Sequence, residues 1–436
     1  MTSRDKAIVH PLEELCISIQ DGDWIETKDQ SSSGYRLLQI GNIAVGKFRE
    51  SGKPRYVSEA TFRRLNCTKI KIGDVLIARM PDPTGRAWCV DAPIPDSITS
   101  VDVAIVRVDP IKLNAKYLAY FLNQKSTLHL MASLQTGSTR QRIKRSDLST
   151  LEILAHPIEL QKAIAKVLTN LDEKIAANNA LSKTLEDIAQ TIFKSWFIDF
   201  DPVKAKMAGE KPAGMDAATA ALFPNSMEES ELGIIPKGWT INIISDFGKV
   251  VTGKTPSTKV PEYWGEQIPF VTIPDMHGQM LITSTARALS QEGADSQRSQ
   301  NIPAGSTMVT CIATPGLVGY ATKNCQTNQQ INSVIPKVEQ SSIWLFWHLR
   351  GLIPTLIRNS GIGTVFANLN KSDFSNIKSI TPEMALREAF SRIAEPIMEL
   401  LETLNIESQY LREIREELLP RLISGELQIP EEILTS

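Results

Sequence analysis

The chain has 436 residues, 42% of them hydrophobic and 22% charged, and its formal net charge at pH 7 is −2. This length exceeds one ordinary hydrophobic core and predicts two or three domains, while the composition excludes a fibrous or wholly disordered protein. The five cysteines form no CxxC pair and the five histidines form no HxxxH pattern, so neither a disulfide framework nor a metal site is predicted.

No stretch of the sequence predicts a membrane span or a secretion signal. The most apolar run, IWLFWHLRGLIPTLI from Ile343, is short and includes His348, Arg350 and Pro354. The first residues, MTSRDKAIVHPLEEL, lack the apolar core of a signal peptide. We therefore expect a cytoplasmic protein with no membrane partner.

Charge is divided unevenly along the chain. Residues 1–156 carry 22 Lys and Arg against 17 Asp and Glu, and residues 239–380 carry 11 against 8. Residues 157–238 carry 9 against 12, and residues 381–436 carry 5 against 12. Two basic blocks therefore alternate with two acidic ones. The pattern suits a polyanion bound at two places, and it also fits acidic helices with solvated faces.

Residues 1–156, the first basic block, predict a small mixed α/β domain. The short β-branched stretches RLLQIGNI, DVLIARM and VDVAIVRV predict strands, and KYLAYFLNQ predicts a helix. Arg79 and Arg86 are candidates for reading DNA bases, because an arginine fork matches the edge of guanine. Each could equally bind buried backbone groups instead.

Four cations lie close together around a Thr-Gly-Ser turn near the end of this domain. No acidic residue stands among them before Asp147, so they repel one another unless a polyanion or solvent neutralises them. DNA phosphates are a fitting partner. An exposed basic loop or a contact with a partner protein fits equally well. The four residues are Arg140, Arg142, Lys144 and Arg145.

Residues 157–200 predict one long helix with an apolar seam. Apolar residues recur there at alternating threes and fours, which is the heptad spacing of a coiled coil, and Asn178 is a polar residue of the kind that fixes register. A helix of about 40 residues is roughly 60 Å long. The predicted seam consists of Val167, Leu171, Asn178, Leu181, Leu185, Ile188 and Ile192.

A linker and a second basic domain follow the helix. Residues 201–238 are rich in Ala, Pro and Gly, and they predict a linker with little core of its own. Residues 239–381 predict a second mixed α/β domain, with a strand at STMVTCIA and a helix at IWLFWHLRG. Its candidates for base reading are Tyr263, Asn328, Gln329 and Gln330, although TNQQIN could also be a structural turn leading into a strand.

The stretch GKVVTGKT, from Gly248 to Thr255, has the letters of a nucleotide-binding P-loop. A working P-loop needs a helix directly after it, whose N-terminal amides meet the phosphates. Here Pro256 and Pro261 allow no more than one helical turn. The match is therefore interpreted as accidental.

The two halves of the chain repeat each other. TGSTRQRIKRSDLSTLEIL aligns with IGTVFANLNKSDFSNIKSI, and Asp147 falls on Asp373, a shift of 226 residues (373 − 147). The same shift predicts a second long helix over residues 382–425, before a tail at 426–436. Pro396 is expected to kink this helix or to mark its true start. Its predicted seam is Ile397, Leu400, Leu404, Leu411, Ile414 and Leu418.

Stretches in both halves carry a family resemblance. The first half contains GYRLLQIGNI, KIGDVLIARM, TSVDVAIVRV and TGSTRQRIKRSDL, and the first long helix ends in FKSWFIDFDPVKAKMAGEKPAGM. The second half contains GKTPSTKVPEYWGEQIPFVTIPDM, IPAGSTMVTCIATPGLVGYATKNCQTNQQINSVIP and LLPRLISGEL. Over nearly its full length the chain resembles the specificity (S) subunit of a type I restriction–modification system.

The resemblance implies an α+β fold, with two pseudo-repeated mixed α/β target-recognition domains separated by two long antiparallel helices that form a coiled coil. Each domain would read one half of an asymmetric, split double-stranded DNA target, and the coiled coil would dock two modification (methyltransferase) subunits. The resemblance also implies that the second domain opens with a polar loop whose Lys254, Thr255, Ser257 and Thr258 contact DNA phosphates.

The same resemblance implies a chain that is not itself an enzyme. Adenine methylation with S-adenosylmethionine would belong to the modification subunits, and cleavage driven by ATP and Mg would belong to restriction (motor) subunits, leaving no cofactor in this chain. Two other interpretations stay open: an NTPase or nuclease, using the loop at Gly248 or the set Asp199, Asp201 and Lys204, and a scaffold that never touches DNA.

Overall fold

The computed structural model describes residues 7–337, 342–359 and 369–430. The chain divides into a first unit, Met1–Ile175 with Tyr410–Ser436, and a second unit, Ala176–Gln409. Two helices of 40 residues, the first long helix Ile158–Phe197 and the second long helix Met384–Ile423, each contribute a part to both units. Within the described ranges, none of the helices is both long and apolar enough to cross a membrane.

The first unit is built around a four-stranded antiparallel sheet. Its central strands contain the apolar runs 75–78 and 103–106, which are buried, with Ile105 opposite Leu76. The strands, sheet by sheet, are Cys16–Gln20, Val103–Val108, Asp74–Ala78 and Ala87–Cys89; Ser97–Thr99, Tyr35–Leu38, Tyr56–Val57 and Gln30–Ser31; Ile8–Pro11 and Glu152–Ala155; and Ile43–Ala44 and Lys47–Phe48. The shorter helices are Glu59–Leu65, Ala115–Leu122, Lys125–Ser133 and Arg145–Ser149.

The second unit repeats this plan around a five-stranded sheet. Val250 lies opposite Val334, and both are buried. The strands, sheet by sheet, are Gly248–Thr252, Ile331–Pro336, Thr307–Thr310, Val318–Ala321 and Leu281–Ile282; Trp264–Gly265, Ala288–Leu289, Ile268–Val271 and Gln326–Thr327; Thr240–Ile243 and Lys378–Thr381; and Met227–Ser230 and Gly233–Pro236. The shorter helices are Asp201–Met207, Ala217–Ala221, Ile244–Phe247, Ile273–Met276, Gln291–Asp295, Ser342–Asn359 and Lys371–Ser375.

The predicted internal repeat is present in the secondary structure. The short helix Arg145–Ser149 corresponds to Lys371–Ser375, and strand Glu152–Ala155 corresponds to Lys378–Thr381. Both pairs keep the shift of 226 residues (371 − 145 and 378 − 152). The two long helices keep it as well (384 − 158). The repeated mixed α/β fold expected from the sequence is therefore confirmed.

The long helices run antiparallel where they meet in the first unit. His156 Nε2, just before the first long helix, lies 2.8 Å from the backbone oxygen of Ile423. Farther along, Asp172 forms an ion pair with Arg415. The partner number falls as the first helix advances, which defines an antiparallel pair. Ile164 and Leu168 share the buried core of this unit with residues of the second helix.

The helices are also antiparallel within the second unit. Asn178 is hydrogen-bonded to Glu407, and Phe193 packs edge-to-face on Phe390 with ring centroids 5.3 Å apart. The first long helix ends in a cluster of aromatic side chains, where Phe197 contacts Trp344 as well as Phe390. The pairing of the helices expected from the heptads, and the antiparallel direction that the resemblance implies, are thus confirmed within each unit.

The seam differs from the predicted one at four positions. Leu181, Ile188, Leu400 and Ile414 are exposed. The neighbouring small residue Ala189 is buried in place of Ile188, because a small side chain lets two helices approach closely. The predicted seam contains Ile188 because it was built from large apolar residues. Of the other predicted seam residues, the structure buries Asn178 and Leu404 and leaves partly buried Val167, Leu171, Leu185, Ile192, Ile397, Leu411 and Leu418.

Two further segments differ from expectation. The predicted linker, 201–238, is folded on the second unit, where Val203, Phe223 and Ile235 join the aromatic core. These isolated apolar residues are too few to mark a core by composition alone. The second long helix begins at Met384 and continues through Pro396, which is exposed, so water can satisfy the carbonyl that loses its donor.

Candidate nucleic-acid interface

Residues 136–145 of the first unit, which we call the cationic loop, are closed at their base by backbone pairing. Thr136 and Arg142 exchange two backbone hydrogen bonds of 3.0 Å. Gly137 has a φ of 107°, and a Cβ placed there would lie 2.8 Å from the oxygen of Arg140. Only glycine makes this turn without strain, so the Thr-Gly-Ser sequence sets the shape of the loop.

Arg79 is buried and binds the backbone of the cationic loop at Ile143. It is 6% exposed, its Nε donates to the oxygen of Ile143 at 3.0 Å, and the backbone nitrogen of Ile143 donates back to the Arg79 oxygen at 3.0 Å. Its Nη1 forms an ion pair with Asp21 and donates to the oxygen of Val101 at 3.3 Å. The structure therefore does not support base contact by Arg79, whose donors position the loop.

Arg86 is likewise occupied by the backbone. It is 4% exposed, and burial lowers the pKa of its guanidinium. Its three nitrogens donate to four carbonyl oxygens, those of Ile43 at 2.6 Å, Met80 at 3.0 Å, Pro83 at 2.8 Å and Ile40 at 2.8 Å. Base contact by Arg86 is therefore not supported, and the alternative role of satisfying buried backbone groups is the one observed.

Charge on the loop is only partly compensated. Arg142 lies 3.5 Å from Asp102, and Arg145 lies 3.8 Å from Asp21. Arg140 and Lys144 are exposed and form no ion pair with any residue in the described part of the chain. The loop thus presents two uncompensated cations to solvent, in a place where backbone phosphates could neutralise them.

In the second unit the structure brings together two loops that are far apart in sequence. The backbone nitrogen of Lys254 donates to the oxygen of Thr327 at 2.9 Å, and Thr255 Oγ1 donates to Gln329 Oε1 at 2.8 Å. Gly253 permits this approach, since a Cβ there would lie 2.2 Å from the oxygen of Asn328. We call this surface, residues 254–258 with 328–330, the polar loop pair.

Two buried glutamines hold the polar loop pair in place. Gln297 Nε2 donates to the oxygen of Lys254 at 2.7 Å and to Gln326 Oε1 at 2.7 Å. Gln326, which is fully buried, donates in turn to the oxygen of Ala294 at 2.9 Å. Neither glutamine was predicted, because an amide in a polar sequence carries no signal that it is buried.

The remaining residues predicted to contact DNA differ in their exposure and in whether other protein groups already bind them. Asn328 and Gln330 bond to each other, with Asn328 Nδ2 donating to Gln330 Oε1 at 3.0 Å and the Gln330 nitrogen donating to Asn328 Oδ1 at 3.1 Å. Ser257 Oγ accepts from the nitrogen of Lys259 at 3.3 Å. Thr258 is exposed, and Tyr263 is half-buried. Lys254 extends its side chain into solvent.

The second copy of this loop spans residues 362–371, of which the structure describes 369–371. Its residues Gly363, Thr364, Phe366 and Asn368 lie outside the described residues. Lys371 opens a short helix that Asn370 caps, with the nitrogen of Asp373 donating to Asn370 Oδ1 at 3.0 Å.

The P-loop interpretation is contradicted by the fold. Gly248–Thr252 is a strand paired with Ile331–Pro336, so the residues that would wrap a phosphate are already bound in a sheet. No helix follows Thr255 before the short 3-10 turn at Pro261–Tyr263. The nuclease-like set of Asp199, Asp201 and Lys204 is not supported either, because Asp201 already accepts a hydrogen bond from Ser195 Oγ at 2.8 Å. Across the described ranges, no cluster of His, Cys, Asp or Glu could hold a metal ion.

Comparison with known sequences and structures agrees with this arrangement. The family model described as the type I restriction modification DNA specificity domain matches residues 9–187 and 236–416. The HindI specificity subunit, a type I restriction enzyme subunit of Haemophilus influenzae, is 35% identical over 400 residues, which are 82% of this chain and 87% of that protein. The MjaIX specificity subunit of Methanocaldococcus jannaschii is 25% identical, covering 94% of this chain and 88% of that protein.

A solved structure has the same fold. The crystal structure of the type I restriction–modification S subunit from M. genitalium superposes with a TM-score of 0.57 at 14% identity, covering 97% of each chain. The family model matches both halves of the chain, and the HindI specificity subunit is similar over most of its length. The chain therefore belongs to the family of type I restriction–modification specificity subunits.

Proposed function

We propose that each half of the chain reads one part of an asymmetric, interrupted double-stranded DNA target. The observation that carries the proposal is the contrast between the two repeats. Both carry a short helix and a strand that correspond at a shift of 226 residues, yet the first presents a cationic loop at 136–145 and the second presents the polar loop pair at a different position of the repeat. Surfaces with different donors and acceptors read different bases, so the two half-sites should differ in sequence.

The second part of the proposal is that the long helices dock methyltransferase subunits. Leu181 and Ile188 lie one heptad apart on one face of the first helix and are 44% and 45% exposed, and Leu400 on the second helix is 42% exposed. Exposed apolar side chains that repeat along one helix face are typical of a surface that a partner covers. Methylation with S-adenosylmethionine is assigned to these methyltransferase subunits. Cleavage with ATP and Mg is assigned to separate motor subunits. The chain itself contributes recognition.

Methylome mapping tests the recognition proposal. Host cells with and without the gene are compared by sequencing that detects methylated adenine. We expect one split motif with two unlike halves, present with the gene and absent without it. Identical motifs in the two strains, or a motif with two identical halves, would contradict the proposal.

Matched substitutions test the docking proposal. Leu181→Glu and Leu400→Glu should abolish co-purification of the methyltransferase while leaving thermal unfolding of the chain unchanged. Gln190→Glu, on an exposed part of the same first helix, adds the same charge and should have no effect. Retention of the partner by both leucine variants would place the docking surface elsewhere.

Helix length is proposed to set the gap between the half-sites. One inserted heptad after Leu181 lengthens a helix by about 10 Å, against about 34 Å for a turn of DNA. We expect the preferred gap to change, or binding to be lost, while the half-sites keep their sequences. An unchanged gap in a methylation-protection assay would refute the spacer role.

A further inference from the structure

Beside the polar loop pair lies an arginine that is held by stacking rather than by an acid. The Arg287 Cζ atom lies 3.5 Å from the ring centroid of Trp264. Arg287 is exposed, and among the residues that the structure describes it has no ion-pair partner. Its charge is therefore uncompensated, while the plane of its guanidinium is fixed by the indole.

The stack is itself supported from the core. Trp264 is half-buried and packs edge-to-face on the buried Phe270, with ring centroids 5.4 Å apart and planes at 88°. Trp264 lies opposite Leu289 in the register of the small four-stranded sheet, and Leu289 is fully buried. The ring on which Arg287 rests is therefore rigid.

The same sheet connects this stack to the polar loop pair. Trp264 Nε1 lies 3.4 Å from the oxygen of Ser257, to which it donates, and Phe270 is paired with Gln326, the buried glutamine under the loops. Arg287 thus stacks on a ring that contacts Ser257, a residue of the polar loop pair. The stack was not predicted because Arg287 and Trp264 are 23 residues apart in the sequence (287 − 264).

We infer that Arg287 reads a guanine in the half-site recognised by the second unit. A phosphate contact requires charge and reach, which a flexible lysine supplies equally well. A fixed guanidinium plane with a free edge instead matches the paired acceptors O6 and N7 of guanine, where two parallel hydrogen bonds discriminate against other bases. Little side-chain freedom remains to be lost on binding, because the stack has already removed it.

Selection from a random double-stranded DNA library tests this inference, which rests on the proposed function. The full chain, purified with its co-expressed modification subunits, is compared with Arg287→Ala and Arg287→Lys. We expect both variants to lose preference for guanine at one position, with affinity for the wild-type consensus falling roughly ten- to a hundredfold. The first half-site should be unchanged. Arg298→Ala removes an exposed arginine already paired with Asp295 at 2.9 Å and serves as the matched control.

The outcomes separate the inference from the proposed function. If the wild-type chain selects no consensus, the proposed function fails. If it selects one that Arg287→Ala retains in full, only the guanine assignment fails. A uniform loss of affinity for all sequences, accompanied by a weaker salt dependence, would make Arg287 a phosphate contact and would also overturn the assignment. Melting curves of the variants confirm that the fold is intact.

Discussion

Asn178 Nδ2 donates a hydrogen bond of 2.8 Å to Glu407 Oε2, and it joins the two long helices at a buried position of their seam. The residue on the first helix is 3% exposed. A carboxamide in a seam costs stability against an apolar side chain, but it allows one register of the helices and penalises the others.

Replacement of this amide should destabilise the second unit. Asn178→Ala removes a donor to a half-buried carboxylate, and we expect a loss of about 1.5–3 kcal/mol in the free energy of unfolding, measured by urea denaturation. Asn170→Ala, at an exposed position of the same helix, is the control. A variant as stable as the wild type would mean that Glu407 is satisfied without Asn178.

Arg86 should be required for folding rather than for DNA contact. Arg86→Lys keeps a positive charge but cannot reach four carbonyl oxygens, and each buried carbonyl left without a donor costs about 1–3 kcal/mol. We expect loss of the cooperative unfolding transition of the first unit, followed by near-UV circular dichroism. A lysine variant with an intact transition and weakened DNA binding would favour the other interpretation of Arg86, that it contacts DNA bases.

The cationic loop should show the opposite behaviour. Arg140→Ala with Lys144→Ala removes two exposed, uncompensated cations, so thermal unfolding should not change. If both contact phosphates, the slope of log affinity against log salt should decrease by about 1.8, since each phosphate contact contributes about 0.9. Binding measured at several salt concentrations gives this slope. An unchanged slope would leave the loop for contacts with a protein partner.

His348 should make the second unit sensitive to acid. Burial, with a smaller effect of Arg387, lowers the pKa of His348 to about 3 from its ordinary value of 6.5. Between these values the unfolded chain takes up a proton that the folded chain refuses, so stability falls as the pH decreases below 6.5, by up to about 1.4 kcal/mol per pH unit.

The pH dependence of unfolding checks this sign. The ring of His348 stacks on Trp344 with centroids 4.4 Å apart, so an aromatic replacement is expected to fit. His348→Phe should flatten the dependence of the urea midpoint on pH between 4 and 6. Parallel profiles for the two proteins would show that the histidine does not control acid unfolding.

Much of the fold was predictable because it repeats and because its periods are regular. Strand Asp74–Ala78 and the helix Ile158–Phe197 lie where their apolar patterns placed them. The seam was less predictable, since burial of Ala189 instead of Ile188 depends on how closely the partner helix approaches. The sequence of segment 201–238 predicts a linker, because its few apolar residues form a core only together with side chains from other parts of the chain.

The candidate interface shows the same division. The loops around Lys254 and Gln329 could be chosen by residue type, but their contact depends on strand pairing across more than 70 residues, as in the Thr255–Gln329 hydrogen bond. Arg79 and Arg86 are of the residue type that often reads bases, but both are buried and bind the backbone. The side-chain type alone cannot distinguish the two roles, because both use the same donors.

The first unit is assembled from two segments that are far apart in the sequence: Leu422, Ile423 and Ile429 lie in the same buried core as Leu12 and Val75. During synthesis the ribosome must therefore continue past Ile429 before the first unit can complete its core, whereas Ala176–Gln409 is contiguous and can complete its core earlier. A change of reading frame between Gln409 and Leu422 would consequently disrupt the core of the first unit and leave the second unit's own sequence intact.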